Sequence, residues 1–289
     1  MKPDLLADAV MPPDFERRFG GLARLYGAAG AQQIRQAHIV VVGLGGVGSW
    51  AAEAAARSGV ARLTLVDLDH IAESNINRQV HALDNTIGMA KVQAMRERIA
   101  HINPDCKIDC IEEFVAADNW PGVVGLGAEV DWKMVAIIDA CDQVKAKTAM
   151  AAWAIKNKAV FISVGAAGGK RLAHKVDIED LSLVTHDPLL AQMRNRLRKE
   201  HGAARDKKKI GVACVFSRET VMQPVAVVAT EHTKTADARQ LDDSPADFSV
   251  TAQSDATLNC HGYGSIVTVT STFGLCAAGW VLGKIAESA

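Results

Sequence analysis

The chain has 289 residues, 49% of them hydrophobic and 22% charged, with a formal net charge of −1. That length buries a full core, as one large domain or two modest ones, and the near-neutral balance excludes a globally basic protein, so any nucleic-acid affinity must come from a local patch. The six cysteines, at 106, 110, 141, 214, 260 and 276, form no C-x-x-C pair, which excludes a zinc ribbon or a thioredoxin-type motif and fits a reducing cytoplasm.

Residues 1–14 carry one lysine, several prolines and no long apolar stretch. They read as a flexible tail rather than a secretory signal. Arg17, Arg18 and Arg24 follow, ahead of the first strand. By default they are surface arginines, although an arm beside a nucleotide site can present one to phosphate.

His38–Val42 is a short apolar run rich in β-branched residues, the pattern of a buried parallel strand. Gly43, Gly45 and Gly48 then match G-x-G-x-x-G, with Gly46 as a fourth glycine, and an alanine-rich helix runs from Trp50 to Arg57. Glycines allow a tight turn whose backbone N–H groups face an anion at the helix N-terminus. A second strand, Arg62–Val66, ends at Asp67, about where an acidic residue meets a ribose hydroxyl. This β-α-β unit predicts a bound nucleotide and leaves NAD, FAD and ATP open.

Beyond Asp67 the segment to Gln79 is polar and aperiodic, and it follows a strand's carboxyl end, where α/β sheets place ligands. Gly88 opens a predicted helix with Lys91 at its start and Val92, Met95 and Ile99 on its apolar face, stopped by Asn103-Pro104. Strands follow at Lys107–Phe114 and Val135–Ile138, the latter running into Asp139-Ala-Cys-Asp142. A helix from about Gln143 to Asn157, a strand at Val160–Val164 and a turn at Gly165–Gly169 complete the alternation. The expected fold is α/β: a doubly wound, mainly parallel Rossmann-like sheet with a C-terminal extension. Residues 15–170 read as the nucleotide-binding domain, and 171–289 as a substrate-binding and dimerisation part of the same globule.

The stretch GLGGVGSWAAEAAARSGVARLTLVDLDHIAESNINRQ, then Lys91, then Ile-Asp-Ala-Cys-Asp, resembles the ubiquitin-activating-enzyme-like superfamily, whose bacterial members adenylate sulfur-carrier proteins. Arg18–Gly27, Asn77–His81, Gly211–Ser217 and Thr270–Gly274 resemble one branch of it, the tRNA threonylcarbamoyladenosine dehydratases. The resemblance implies ATP and Mg²⁺. It places Gly46 on the phosphate turn, Asp67 on the ribose, Asn75, Arg78 and Lys91 on the phosphates, and Asp142 on the magnesium-linked aspartate. Gln143 stands where relatives often have asparagine. The arginine that relatives donate across a homodimer interface aligns with Gly21, which leaves Arg18 and Arg24 as substitutes. The two C-x-x-C pairs that hold zinc in other branches are missing, so no structural zinc is expected.

Each site residue also has a plain structural alternative. Arg78 can be a loop arginine, Lys91 a solvated helix residue and Asp142 the N-cap of the next helix. Asp69 and Asp139 read as strand-end aspartates that cap turns.

Residues 194–209 hold Arg194, Arg196, Arg198, Lys199, Arg205, Lys207, Lys208 and Lys209 against two acids. A charge run is usually a solvated face, yet this one suits a phosphate backbone, with tRNA as the implied partner. Residues 231–259 are acidic and polar and read as a loop or lid. No residue from Gly262 to Gly283 is charged. Its serines, threonines and glycines favour a buried element at a subunit contact over a membrane span or membrane association.

The expected activity is ATP-dependent dehydration, by cyclisation, of threonylcarbamoyladenosine in tRNA through an acyl-adenylate. The alternatives are adenylation of a sulfur-carrier or ubiquitin-like protein tail, with a sulfur-transfer or acceptor protein as partner, an NAD-dependent oxidoreductase, and an inactive scaffold. Cys214 lies in a motif shared with the family, and a structural role suits it as well as a chemical one.

Overall fold

In the computed structural model, residues 13–125, 135–206, 208–224 and 263–288 are described. In chain order the elements are α1 (Phe15–Phe19), α2 (Gly21–Gln36), β1 (His38–Val42), α3 (Gly48–Arg57), β2 (Arg62–Val66), α4 (Lys91–Ile102), β3 (Lys107–Ile111) and β4 (Val135–Asp139). They continue with α5 (Val144–Asn157), β5 (Val160–Val164), β6 (Val176–Asp180), α6 (Pro188–Glu200), β7 (Ala213–Ser217) and α7 (Val267–Ala286).

The strands form one sheet in the order β3-β2-β1-β4-β5-β7-β6, parallel except where β6 meets β7. Every residue of β1 is buried. Ile39 and Val41 face a core shared with α2, α3, α4 and α7, while Val40 and Val42 face the one formed with α5 and α6. A strand covered on both sides needs apolar residues at every position, which is why His38–Val42 reads as an unbroken run. Winding from β1 proceeds to β2 and β3 on one side, then to β4 and β5 on the other. The crevice beyond the carboxyl ends of β1 and β4 is therefore the topological switch point.

Several boundaries differ from expectation. The third strand stops at Ile111, because its pairing partner β2 ends opposite it at Val66; beyond, Asn119 turns the chain, its Oδ1 accepting from Ala116 N at 2.8 Å and its Nδ2 donating to Phe114 O at 2.9 Å. The fourth helix starts at Lys91 rather than Gly88. Gly88, at φ +84°, and its neighbours bond back to the strand end instead, through Gly88 N to Ile71 O at 2.8 Å and Lys91 N to Asp69 O at 3.0 Å. Lys91 is thereby fixed beside Asp69.

The uncharged C-terminal stretch is the helix α7, long and apolar enough by composition to cross a membrane. Its Val269, Phe273, Ala277, Val281 and Ile285 lie in the core with α3. The crossing depends on Gly274, where a Cβ would stand 2.3 Å from Val47 O and 3.0 Å from Ala51 N. The residues read as a lid, 231–259, and most of the N-terminal tail lie outside the described residues.

Candidate active site

The glycine turn and the start of α3 form the floor of the switch-point crevice. Gly43 has φ +88°, and a Cβ there would lie 2.8 Å from Ala140 O, so glycine lets the β1 turn pass against the β4 turn. At Gly48 a Cβ would stand 1.7 Å from Gly43 O. Gly45 has open space around it. No side chain caps α3; Ser49 N donates to Gly45 O at 3.2 Å, and the N–H groups of the turn beside it point to an anion.

Asp67, at the end of β2, is buried and doubly anchored. Its Oδ2 accepts from Leu44 N at 2.5 Å and its Oδ1 from Asp69 N at 2.9 Å. Burial pushes its carboxyl pKa up, against the opposing pull of Lys91 and the two backbone donors. Lys91 is itself buried; its Nζ lies 2.6 Å from Asp69 Oδ2 and 3.7 Å from Asp67 Oδ1.

Arg78 arches over the phosphate turn. A Cβ on Gly46 would meet Arg78 Cγ at 3.0 Å and Thr270 of α7 at 3.3 Å. Its Nη1 donates to Ser74 O at 2.8 Å and Asn77 Oδ1 at 2.9 Å, and Trp50 Nε1 holds its carbonyl at 3.0 Å. No carboxylate neutralises it among the described residues, so its charge remains available to a ligand. Asn75 is buried, and its Oδ1 accepts from Ala72 N at 3.1 Å.

On the other side of the crevice, Asp142 is exposed in the turn after β4 and makes no side-chain bond among the described residues. It is not the N-cap of α5. Gln143 occupies that position, also exposed and without a side-chain capping bond. An N–H-lined turn, two cations and an exposed carboxylate thus lie around the carboxyl ends of β1, β2 and β4.

Comparison with known proteins is consistent with this geometry. The model of the ThiF family matches residues 18–287. The chain belongs to the ThiF family. It is 38% identical over 282 residues to the tRNA threonylcarbamoyladenosine dehydratase of Escherichia coli, covering 97% of each chain. To the Haemophilus influenzae enzyme of the same name it is 38% identical over 274 residues, 94% of each. Among solved structures, the E. coli tRNA N6-threonylcarbamoyladenosine dehydratase TcdA in complex with ATP matches with TM-score 0.76 and 36% identity, over 94% of this chain and 95% of that one. Its AMP complex matches with the same TM-score and 37% identity over the same shares.

Within this ThiF-family chain Arg18 lies away from its own glycine turn. Arg24 is exposed on α2, and Arg18 donates to Ile102 O at 2.8 Å, at the end of α4 opposite Lys91. The 12 residues of α4 put roughly 16 Å between those ends. A hollow of about 680 Å³ lined by Arg18, His81, Arg98 and Ile102 opens there, away from the glycine turn.

The basic run is chemically mixed. Arg194 donates to Leu181 O at 3.0 Å and Val184 O at 2.9 Å, Arg198 to Ala204 O at 3.1 Å, and Arg196 pairs with Glu200 at 3.0 Å. Lys199, Arg205, Lys208 and Lys209 are exposed, and Lys207 lies outside the described residues. Cys214 is wholly buried in β7, and burial pushes its thiol well above the ordinary range.

Sequence reasoning missed Lys147. It is fully buried under the Asp142 turn and 3.0 Å from Asp139. One signal could have found it: Lys147 shares a helical face with Met150, Ala151 and Ala154, which is unusual company for an unpaired lysine.

Proposed function

We propose that this ThiF-family chain is an ATP-dependent tRNA threonylcarbamoyladenosine dehydratase. The observation that supports it most is the convergence of the Gly43–Gly48 turn, Arg78 and Lys91 at the switch point, in a chain alignable over nearly its whole length with relatives of that name.

In this reading Asp67, fixed by Leu44 N and Asp69 N, accepts from a ribose hydroxyl of ATP. The turn and the α3 N-terminus take the phosphates. The carboxylate of the threonylcarbamoyl group attacks the α-phosphorus; an O–P bond forms, the bond to the β-phosphate bridging oxygen breaks, and pyrophosphate leaves. Arg78 and Lys91 stabilise the charge that builds on the phosphate oxygens. The exposed Asp142 carboxylate would hold a Mg²⁺ ion, which would supply further charge neutralisation at the phosphates. The carbamoyl group of the same modification then attacks the acyl carbon and AMP departs, carrying the oxygen whose loss makes the net change a dehydration. An attached nucleophile has a high effective molarity, so no enzyme nucleophile is needed. The inaccessibility of Cys214 agrees with that.

Lys199, Arg205, Lys208 and Lys209 offer charge to the tRNA backbone. A homodimer and a cytoplasmic location belong to the same reading. Exposed Leu25, Leu83 and Ile87 supply apolar surface for a second copy. The test is release of AMP and pyrophosphate that depends on tRNA bearing threonylcarbamoyladenosine. Equal release without tRNA, or with an acceptor protein alone, would refute the reading.

A further inference from the structure

Directly beneath the turn that carries Asp142 lies a charged pair with no access to water. Lys147 Nζ and Asp139 Oδ2 are 3.0 Å apart, and both side chains are 0% exposed. The ammonium also donates to Cys141 O at 2.9 Å and to Asp139 O at 3.3 Å. Its three hydrogens are thereby engaged, one on the turn at Cys141 O and two on Asp139, the last residue of β4. Asp139 is anchored in return: Ser163 Oγ on β5 donates to its Oδ2 at 2.7 Å, and Cys141 N reaches its Oδ1 at 3.3 Å. Burial draws the Lys147 pKa down, but Asp139 and Cys141 raise it by more, so the amine stays protonated.

Above this network the turn packs against Gly43, and Ala140 N donates to Val42 O at 2.8 Å. Asp142 has no side-chain bond of its own to fix its direction. We infer that Lys147 is a positioning residue of the nucleotide site, holding the Ala140–Asp142 turn in the shape that presents the Asp142 carboxylate to the crevice. Stability alone is a poor reason for such a pair, since apolar residues of similar volume often serve as well or better. Lys147 on Cys141 O and Asp139 on Cys141 N grip the turn from both sides of one residue, which is what a fixed backbone direction requires. The inference rests on the reading of Asp142 as the residue that meets the cation of ATP.

The test is calorimetric binding of ATP, with Mg²⁺ and with chelator, in the absence of tRNA. The paired variant Asp139→Asn, Lys147→Met leaves no buried charge unpaired and retains an acceptor for Ser163. It is expected to bind metal-free ATP like the wild type, because Asp67, Arg78 and Lys91 are untouched. It loses about tenfold of the tightening that Mg²⁺ brings, the scale at which supports of a ligating group act. Ser163→Ala, the milder second variant, moves the Mg²⁺ dependence the same way by about threefold. Full Mg²⁺ tightening in either cooperatively melting variant overturns the inference. A wild type that gains nothing from Mg²⁺, or an Asp142→Asn protein that still gains fully, overturns instead the site reading beneath it.

Discussion

The ammonium of Lys91 lies 2.6 Å from the carboxylate of Asp69, closing an ion pair at the edge of the nucleotide crevice. Lys91 is almost buried while Asp69 is more than half exposed, so the pair has one dry and one wet partner. An incoming phosphate can compete for the ammonium from the solvent side.

Removing this charge has two consequences. Lys91→Met and Arg78→Ala should each lower AMP release by roughly 10²–10³, the usual cost of a lost charge-stabilising donor. Lys91 also opposes the burial that raises the Asp67 pKa. In Lys91→Met the acid limb of ATP binding should therefore shift to higher pH, whereas in Arg78→Ala it should stay in place. Binding titrations across pH separate the two, and full activity in either variant would contradict the site.

The exposed part of the basic run carries a salt-dependent prediction. Replacing Arg205, Lys208 and Lys209 by Ala should weaken all tRNA binding about equally. The slope of log affinity against log salt should flatten by about one for each phosphate that is no longer neutralised. ATP affinity should not change. Arg194→Ala should instead lower the melting temperature, because that guanidinium holds Leu181 O and Val184 O. An unchanged salt slope in the triple variant would remove the run from the tRNA surface.

Acid stability follows from His81. It is buried, neither ring nitrogen has a partner among the described residues, and burial lowers its pKa from 6.5 to about 4. A histidine depressed in the folded state binds fewer protons than in the unfolded chain. Its stabilising contribution is thus complete above pH 6.5 and is lost as pH falls towards 4. The loss is on the order of 3 kcal/mol. His81→Leu should flatten the fall in stability across that window, leaving the like-signed part from His38, also lowered to about 4. Denaturant titrations at several pH values measure it, and an unaltered slope would contradict the assignment.

Much of this was readable from residues whose local pattern coincides with their final role. The β1 run and the glycine turn announce themselves, because a doubly covered strand must be apolar throughout and a phosphate turn must be small. The start of α4 was less legible: Gly88 and Met89 pair back to Ile71, a contact between a loop and a strand end that helical periodicity cannot register. Lys147 was missed for a related reason. Its partner Asp139 lies on another element, and only the fold brings the two charges together. The C-terminal helix showed its hydropathy plainly, but whether it met lipid or core was decided by Gly274 against Val47.

Cys214 offers a deliberately negative prediction. The thiol is fully buried and held in its protonated form by that burial. Cys214→Ala should cost some stability through the small void it leaves and retain turnover within a few-fold. A covalent adduct between Cys214 and substrate, trapped and located by mass spectrometry, would contradict the direct cyclisation.

The proposed activity is tested most directly by mass analysis of nucleosides from tRNA incubated with the protein, ATP and Mg²⁺. Threonylcarbamoyladenosine should be replaced by a product lighter by one water, with AMP formed in equal amount, and Arg78→Ala should slow both by roughly 10²–10³. Unchanged nucleosides alongside continued ATP consumption, or a product that forms without ATP, would contradict it.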